Sequence, residues 1–137
     1  MRSSRFGTGS RLSPTALTRP PRRREVWLVE LGAGRPGEPG KNRPAVVVSA
    51  NELINGVSDE LIVVVPLSSS LVPSALRIVV TPDAGVERPS RAVCRAVRAI
   101  VRSRFVRRLG EVDEATMGQV DMALTMILEL DRKPVVE

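Results

Sequence analysis

Three short β-branched runs, at 44–49, 61–66 and 76–81, decide most of what this chain can become. Each is six residues long, rich in Val or Ile, and bounded by Gly, Pro, Asn or Ser, the usual composition of a strand between turns. A fourth run, Val26-Trp27-Leu28-Val29, precedes them and is ended by the Gly/Pro-rich stretch 32–40. One helical turn is predicted at 51–55. From Asp113 the period changes. Met117, Val120, Leu124, Ile127 and Leu128 recur at helical spacing, Asp113 is a good N-cap, Glu114 suits the first turn, and Pro134 ends the run. Regular strands followed by one amphipathic helix predict a small, mainly antiparallel barrel or sheet with the helix packed on it. A domain of this size buries only about two thirds of its unfolded surface, so pairing into a dimer would help to hold it.

Residues 91–105 are left open by their pattern. Val93, Ala96, Val97, Ile100 and Val101 fit a helical stripe, with Arg95, Arg98 and Arg102 along another face. Pro89 and the β-branched content fit a strand equally well.

Charge divides the chain. Residues 1–24 hold seven arginines and no acid, so the remaining 14 basic residues face all 15 acidic ones. A disordered basic tail is expected over 1–23 and one domain over 24–133. The high isoelectric point therefore belongs to the tail and says little about the domain. Within the domain, 88–108 carries eight arginines without an acid, and 111–131 carries six acids without a base. A near-neutral total can thus hide a positive face; two solvated, mutually neutralising surfaces fit as well.

The tail has no apolar core of a secretory signal, although its Arg/Ser-rich composition fits a transit peptide loosely. No apolar stretch approaches the ~18–20 residues that span a bilayer. Cys94 is the only cysteine, which rules out an intrachain disulfide and suggests a buried core thiol in a reducing, cytoplasmic setting.

Several chemistries are missing. There is no histidine, so no histidine triad, histidine-ligated metal or two-histidine acid–base pair is available. No cysteine pair exists for zinc, and neither metal nor cofactor is expected. Gly32, Gly34 and Gly37 match a dinucleotide-binding spacing, but Pro36 and Pro39 prevent the helix that such a site needs. Gly40-Lys41-Asn42 resembles the end of a phosphate-binding loop, yet Arg35 stands where Gly is required and Asn42 where a hydroxyl would hold magnesium.

What remains is a loop ending in Lys41-Asn42-Arg43-Pro44, a hydroxyl cluster Ser68-Ser69-Ser70 after a strand, and the arginine-rich segment. RNA carries its own nucleophile, the 2′-OH. An enzyme acting on it has to orient that group and stabilise the crowded phosphorus. A guanidinium suits this task because it directs several donors at phosphate oxygens. In the plainer reading Arg43 anchors a loop and the serines form a polar turn.

Taken in order, residues 24–130 resemble the MazF/PemK toxin family. The matching pieces are Arg24 to Glu30, a Gly-rich loop with Glu38 five residues before Arg43, Arg43-Pro44 opening a β run to Ser49, Val64 to Ser69, Arg88-Pro89-Ser90, and the helix from Asp113. The resemblance implies an SH3-like antiparallel β-barrel with a C-terminal helix, a homodimer, and metal-independent cleavage of single-stranded RNA to a 2′,3′-cyclic phosphate and a 5′-OH. It implies a cognate antitoxin, acidic and partly disordered, that covers the RNA groove. Arg43 and Ser68 match the catalytic positions, and Glu38, Lys41, Asn42, Ser69 and Arg98 are assigned to RNA binding. The resemblance also favours a strand over 91–105. The chain departs from the family at Ala96, where Gln is common, and near Val101, where an acid is frequent; it gains Arg91, Arg95 and Arg102. Two other functions share the fold or the charge: a non-enzymatic inhibitor of a protein such as DNA gyrase, and an inactive basic RNA-binding module.

Overall fold

The computed structural model describes residues 19–32, 41–70, 72–74 and 76–132. The β-branched runs form strands β1 (Glu25–Glu30), β2 (Asn42–Val47), β3 (Leu61–Ser68) and β4 (Arg77–Val80). They are followed by β5 (Ser90–Val93), β6 (Arg98–Val101), β7 (Phe105–Glu111) and the helix α1 (Glu114–Leu128). A single 3-10 turn occupies Asn51–Leu53, as the sequence predicted.

All the pairings are antiparallel, in the order β4-β5-β3-β2-β1-β7, and β6 also pairs β3. The long β3 is the pivot. Its first half pairs β6 from Leu61↔Val101 to Val64↔Arg98, and its end pairs β5 at Leu67↔Ala92 and Ser68↔Arg91. Changing partners midway bends the sheet into the expected barrel-like wrap. The outer edges, β4 and β7, are not joined to each other.

The alternation of strand residues gives two cores. Val26, Val46, Val65, Leu67 and Ala92 face α1, which buries Met117, Val120, Ala123 and Leu124 against them. Trp27, Val29, Ala45, Val47, Ile62, Val64, Ile100 and Phe105 form the other core. There the Trp27 and Phe105 rings meet edge to face, with centroids 5.9 Å apart and planes at 75°, an arrangement worth about 0.5–1.5 kcal/mol beyond area burial. Asp113 caps α1 as expected, its side chain accepting from the Thr116 amide at 2.7 Å. The helix ends at Leu128, where Glu129 turns left-handed; Pro134 lies outside the described residues. Leu128, counted in the apolar stripe, is exposed.

Segment 91–105 is β5 and β6 joined by the 3-10 turn Cys94–Ala96, and a second such turn, Arg102–Arg104, leads into β7. Ala92 and Cys94 are buried alternately, as are Ile100 and Arg102. The intervening turn resets this period-two pattern, so its apolar residues fall three or four apart and imitate a helix.

Residues 1–18 of the expected tail lie outside the described residues, whereas 19–23 pack on the domain. Pro21 is buried. The Arg23 amide donates to Asn51 Oδ1 at 2.7 Å, and its guanidinium binds the Val48 carbonyl and Asp121. Arg24, with φ at 80°, donates its amide to Val47 O and accepts from the Val112 amide.

The turn Pro82–Ala84 presses on β7. A Cβ at Gly85 would meet the Leu109 carbonyl oxygen at 2.2 Å, and one at Gly110 would meet the Ala84 carbonyl oxygen at 2.2 Å. Only glycines permit this approach, and it brings Val86 and Leu109 to one cavity wall. Among the described residues no helix is long and apolar enough to cross a membrane.

Candidate active site

β1 and β2 form a hairpin whose stem closes where the Leu31 amide donates to the Lys41 carbonyl at 3.1 Å. That closure delivers Lys41, Asn42 and Arg43 to the end of the sheet, with Arg43 opposite Val29. On the other side, β2 pairs β3 from Val47↔Val64 to Ala45↔Pro66. Extending the same register by two residues sets Arg43 opposite Ser68. Twenty-five residues apart in sequence, they share one end of two adjacent strands. Pro44 and Pro66 lack amide protons, which explains why the hydrogen-bonded ladder stops short of this pair.

Ser68 is half-buried, and its Oγ accepts from the Ser70 amide at 3.1 Å. This turn fixes the hydroxyl oxygen while leaving its O–H able to donate outward. Arg43 is exposed; among the described residues no hydrogen bond or ion pair holds its guanidinium.

Beside the pair lies a cavity of about 550 Å³. Leu28, Pro44, Leu67, Val86 and Leu109 supply its apolar lining, and Lys41, Asn42, Arg43 and Ser69 one rim. Glu87, Arg88, Ser90 and Arg107 form the rest, so four cations face a single carboxylate. Ser90 is buried and donates to the Arg88 carbonyl at 3.0 Å, holding that rim. An apolar floor under a cationic rim suits a nucleotide, whose base is apolar on its faces and whose phosphate is anionic.

The structure thus gathers Lys41, Asn42, Arg43 and Ser69, and puts Ser68 next to them without making it part of the cavity wall. Glu38 lies outside the described residues. Arg98 is not brought to the site: it pairs Val64 on β3, four residues from Ser68, which is roughly 13 Å along a strand. The resemblance assigns it to RNA binding with Lys41, Asn42 and Ser69, but the register sets it on β6, outside the cavity lining. Sequence reasoning gave no role to Glu87, Arg88, Ser90 or Arg107. Arg88-Pro89-Ser90 was visible as a motif; Arg107 needed its pairing with Leu28 to be found.

Titratable groups away from the cavity are structural. Glu25 is 3% exposed. Burial would raise its pKa, but hydrogen bonds from Arg19, Trp27 Nε1, the Arg22 amide and Arg108 outweigh it and hold the carboxyl below its usual value. Arg102 lies over the Trp27 ring at 5.4 Å from its centroid, and burial lowers its pKa against the attraction of Glu60. Burial pushes the Cys94 thiol up to about 11, so it is an unreactive core group. Among the described residues no group of three or more His, Cys, Asp or Glu is placed to hold a metal ion.

The family model for PemK-like, MazF-like toxins of type II toxin-antitoxin systems matches residues 22–128. The chain is 34% identical over 115 residues to endoribonuclease MazF9 of Mycobacterium tuberculosis, an alignment covering 80% of this chain and 97% of that protein. Its fold is similar to MazF from Deinococcus radiodurans, with a TM-score of 0.68 at 22% identity, covering 82% of this chain and 99% of that one. It is also similar to a mycobacterial endoribonuclease solved with its cognate antitoxin, with a TM-score of 0.65 at 24% identity, covering 83% and 99%. With the family model matching 22–128 and a 34% identical relative aligned over most of its length, the chain belongs to the PemK-like, MazF-like toxins of type II toxin-antitoxin systems.

Proposed function

We propose that this toxin arrests growth by cutting single-stranded RNA, with Arg43 and Ser68 as the catalytic pair. The observation that carries this reading is their common position at one end of β2 and β3, beside a cavity with a cationic rim. The substrate's 2′-oxygen attacks phosphorus in line, forming the O2′–P bond as the P–O5′ bond breaks. The 2′-OH proton leaves and the departing 5′-oxygen acquires one, giving a 2′,3′-cyclic phosphate and a 5′-OH. Negative charge grows on the non-bridging oxygens at the midpoint, where the Arg43 fork donates. Ser68 donates its O–H to the same phosphate and positions it. Lys41, Asn42 and Ser69 border the cavity and hold the neighbouring nucleotide.

No step of this mechanism calls for a metal, so cleavage is expected to proceed in a chelator. The toxin acts in the cytoplasm as a homodimer, and an acidic, partly disordered antitoxin neutralises it by lying across the cationic rim. The domain proposed for this activity includes 19–23, which pack on it. The alternatives, a gyrase-type inhibitor and an inactive RNA-binding module, draw no support from the relatives, and both leave Arg43 and Ser68 without a task.

Mapping the ends produced from a mixed RNA pool in EDTA tests the proposal. Cyclic phosphate and 5′-OH ends are expected, and a single 2′-deoxynucleotide at the cleaved position should block the cut there. A requirement for Mg²⁺, or cleavage at the deoxy position, would overturn the mechanism.

A further inference from the structure

Ser68 has a neighbour on each side. β2 supplies Arg43, and β5 supplies Arg91, which pairs directly with Ser68. Directly facing residues of an antiparallel pair have their Cα atoms about 4.5–5.5 Å apart and point to the same face. The Ser68 hydroxyl is therefore within reach of the Arg91 guanidinium.

Among the described residues the Arg91 Nε is buried and has no hydrogen-bond partner. Arg108 Nε donates to Glu25, and Arg24 Nε donates to the Val112 carbonyl. Buried donors are nearly always satisfied, so an open one on the residue facing Ser68 calls for an acceptor. The other strand facing Arg91 contributes Val79, which offers none. The Arg91 side chain is half-buried.

We propose that Arg91 is a second phosphate-binding arginine of this active site, donating from the side opposite Arg43 to a non-bridging oxygen of the scissile phosphate. The inference rests on the reading of Arg43 and Ser68 given above, and adds a residue that the sequence pattern left without a role. The reaction is unchanged: O2′–P forms, P–O5′ breaks, and no proton passes through Arg91. Its part is to match the charge that develops on the oxygen that Arg43 does not hold. Two forks flanking one hydroxyl would clamp the phosphate in a fixed orientation, which in-line attack requires. Arg95 and Arg98 do not compete for this place, since the 3-10 turn Cys94–Ala96 carries the chain away from Ser68 toward the β6 pairing.

The test is single-turnover cleavage of one RNA by wild type, Arg43→Ala, Arg91→Ala and Arg91→Met, with the scissile phosphate as oxygen or as each phosphorothioate diastereomer. Arg91→Ala should lower the rate at saturating RNA by roughly 10²-fold, the lower end for a lost donor to developing charge. The apparent KM should change little, and one diastereomer should lose the sulfur penalty that wild type shows. Arg91→Met keeps the stem that covers the sheet, so it carries the same expectation should the alanine variant fold poorly. A wild-type rate in a folded Arg91 variant, or a rise in KM alone, overturns the proposal and makes Arg91 a groove or framework residue. Arg43→Ala separates the two claims: if it is inactive while the Arg91 variants are not, only the second arginine fails. If Arg43→Ala cuts normally, the site assignment itself fails.

Discussion

Arg107 and Arg108 are adjacent on β7 and end in opposite roles. Arg108 pairs Trp27 and donates to buried Glu25, alongside Arg19 and the Trp27 indole. Arg107 pairs Leu28 and borders the cavity, as Arg43 and Arg88 do. The start of β1 has a carboxylate that its cations saturate, whereas the cavity is lined by four cations and the single carboxylate Glu87. The side-chain chemistry is the same at both ends, so pairing rather than charge separates framework from function. Cations held by Glu25 cannot bind phosphate without unmaking a buried cluster, whereas Arg43 has no ion pair among the described residues to give up.

Substitutions at the two ends should accordingly move different measurements. The largest effect is expected at Ser68. Ser68→Ala should slow cleavage ~10²–10³-fold with an unchanged melt, while Ser68→Thr keeps the hydroxyl and retains activity. The Ser68→Ala, Arg43→Ala double variant should be little worse than the worse single one, because in the proposed mechanism both groups serve one transition state. At the framework end, Glu25→Gln should cost about 1–3 kcal/mol in denaturant unfolding, with cleavage per folded molecule preserved. Because the Glu25 carboxyl is depressed in the folded state, its contribution is complete above the ordinary value of 4.5 and is lost as pH falls through the folded value. Wild type should therefore lose more stability below that pH than Glu25→Gln does.

Gly110→Ala should destabilise by about 1–3 kcal/mol, since its Cβ meets backbone rather than a side chain that can move. The smallest effect belongs to the tail. Removing 1–18 should leave the melting temperature unchanged, whereas removing 1–23 also deletes the Arg19 and Arg23 contacts and should lower it. If the first truncation destabilises as much as the second, the fold depends on residues before Arg19. Any help that the tail gives to RNA capture should appear as a salt slope lowered by ~0.7 per lost phosphate contact.

The framework was mostly legible because its signals are local. β-branched runs with breakers, and a stripe behind an N-cap, each report on a few consecutive residues, and β1 to β4 and α1 form where those signals lie. Segment 91–105 was legible as strand only through the resemblance, because a three-residue turn inside a period-two pattern produces helical spacing. The site was legible only in part. Arg43 and Ser68 came from resemblance, and nothing local distinguishes Arg43 from an anchor or Ser68 from a turn. Arg91, Arg107 and Arg98 are equivalent in sequence, each an arginine in a basic run. The β3–β5, β1–β7 and β3–β6 registers then place the first two near the cavity or Ser68 and the third away from both. Glu25 reads as an ordinary strand-edge acid until Trp27, Arg108 and the 19–22 segment are seen around it.

The division between framework and function is tested most directly by Arg43→Ala in paired single-turnover cleavage and circular dichroism melts. A folded protein with the wild-type transition should cut RNA ~10²–10³-fold more slowly, about 2.7–4 kcal/mol of lost transition-state stabilisation. Arg43→Lys should recover little of it, since a point charge does not reproduce the planar fork. A fully folded Arg43→Ala protein that cuts at the wild-type rate, or one whose loss of activity simply follows its unfolded fraction, would contradict the account.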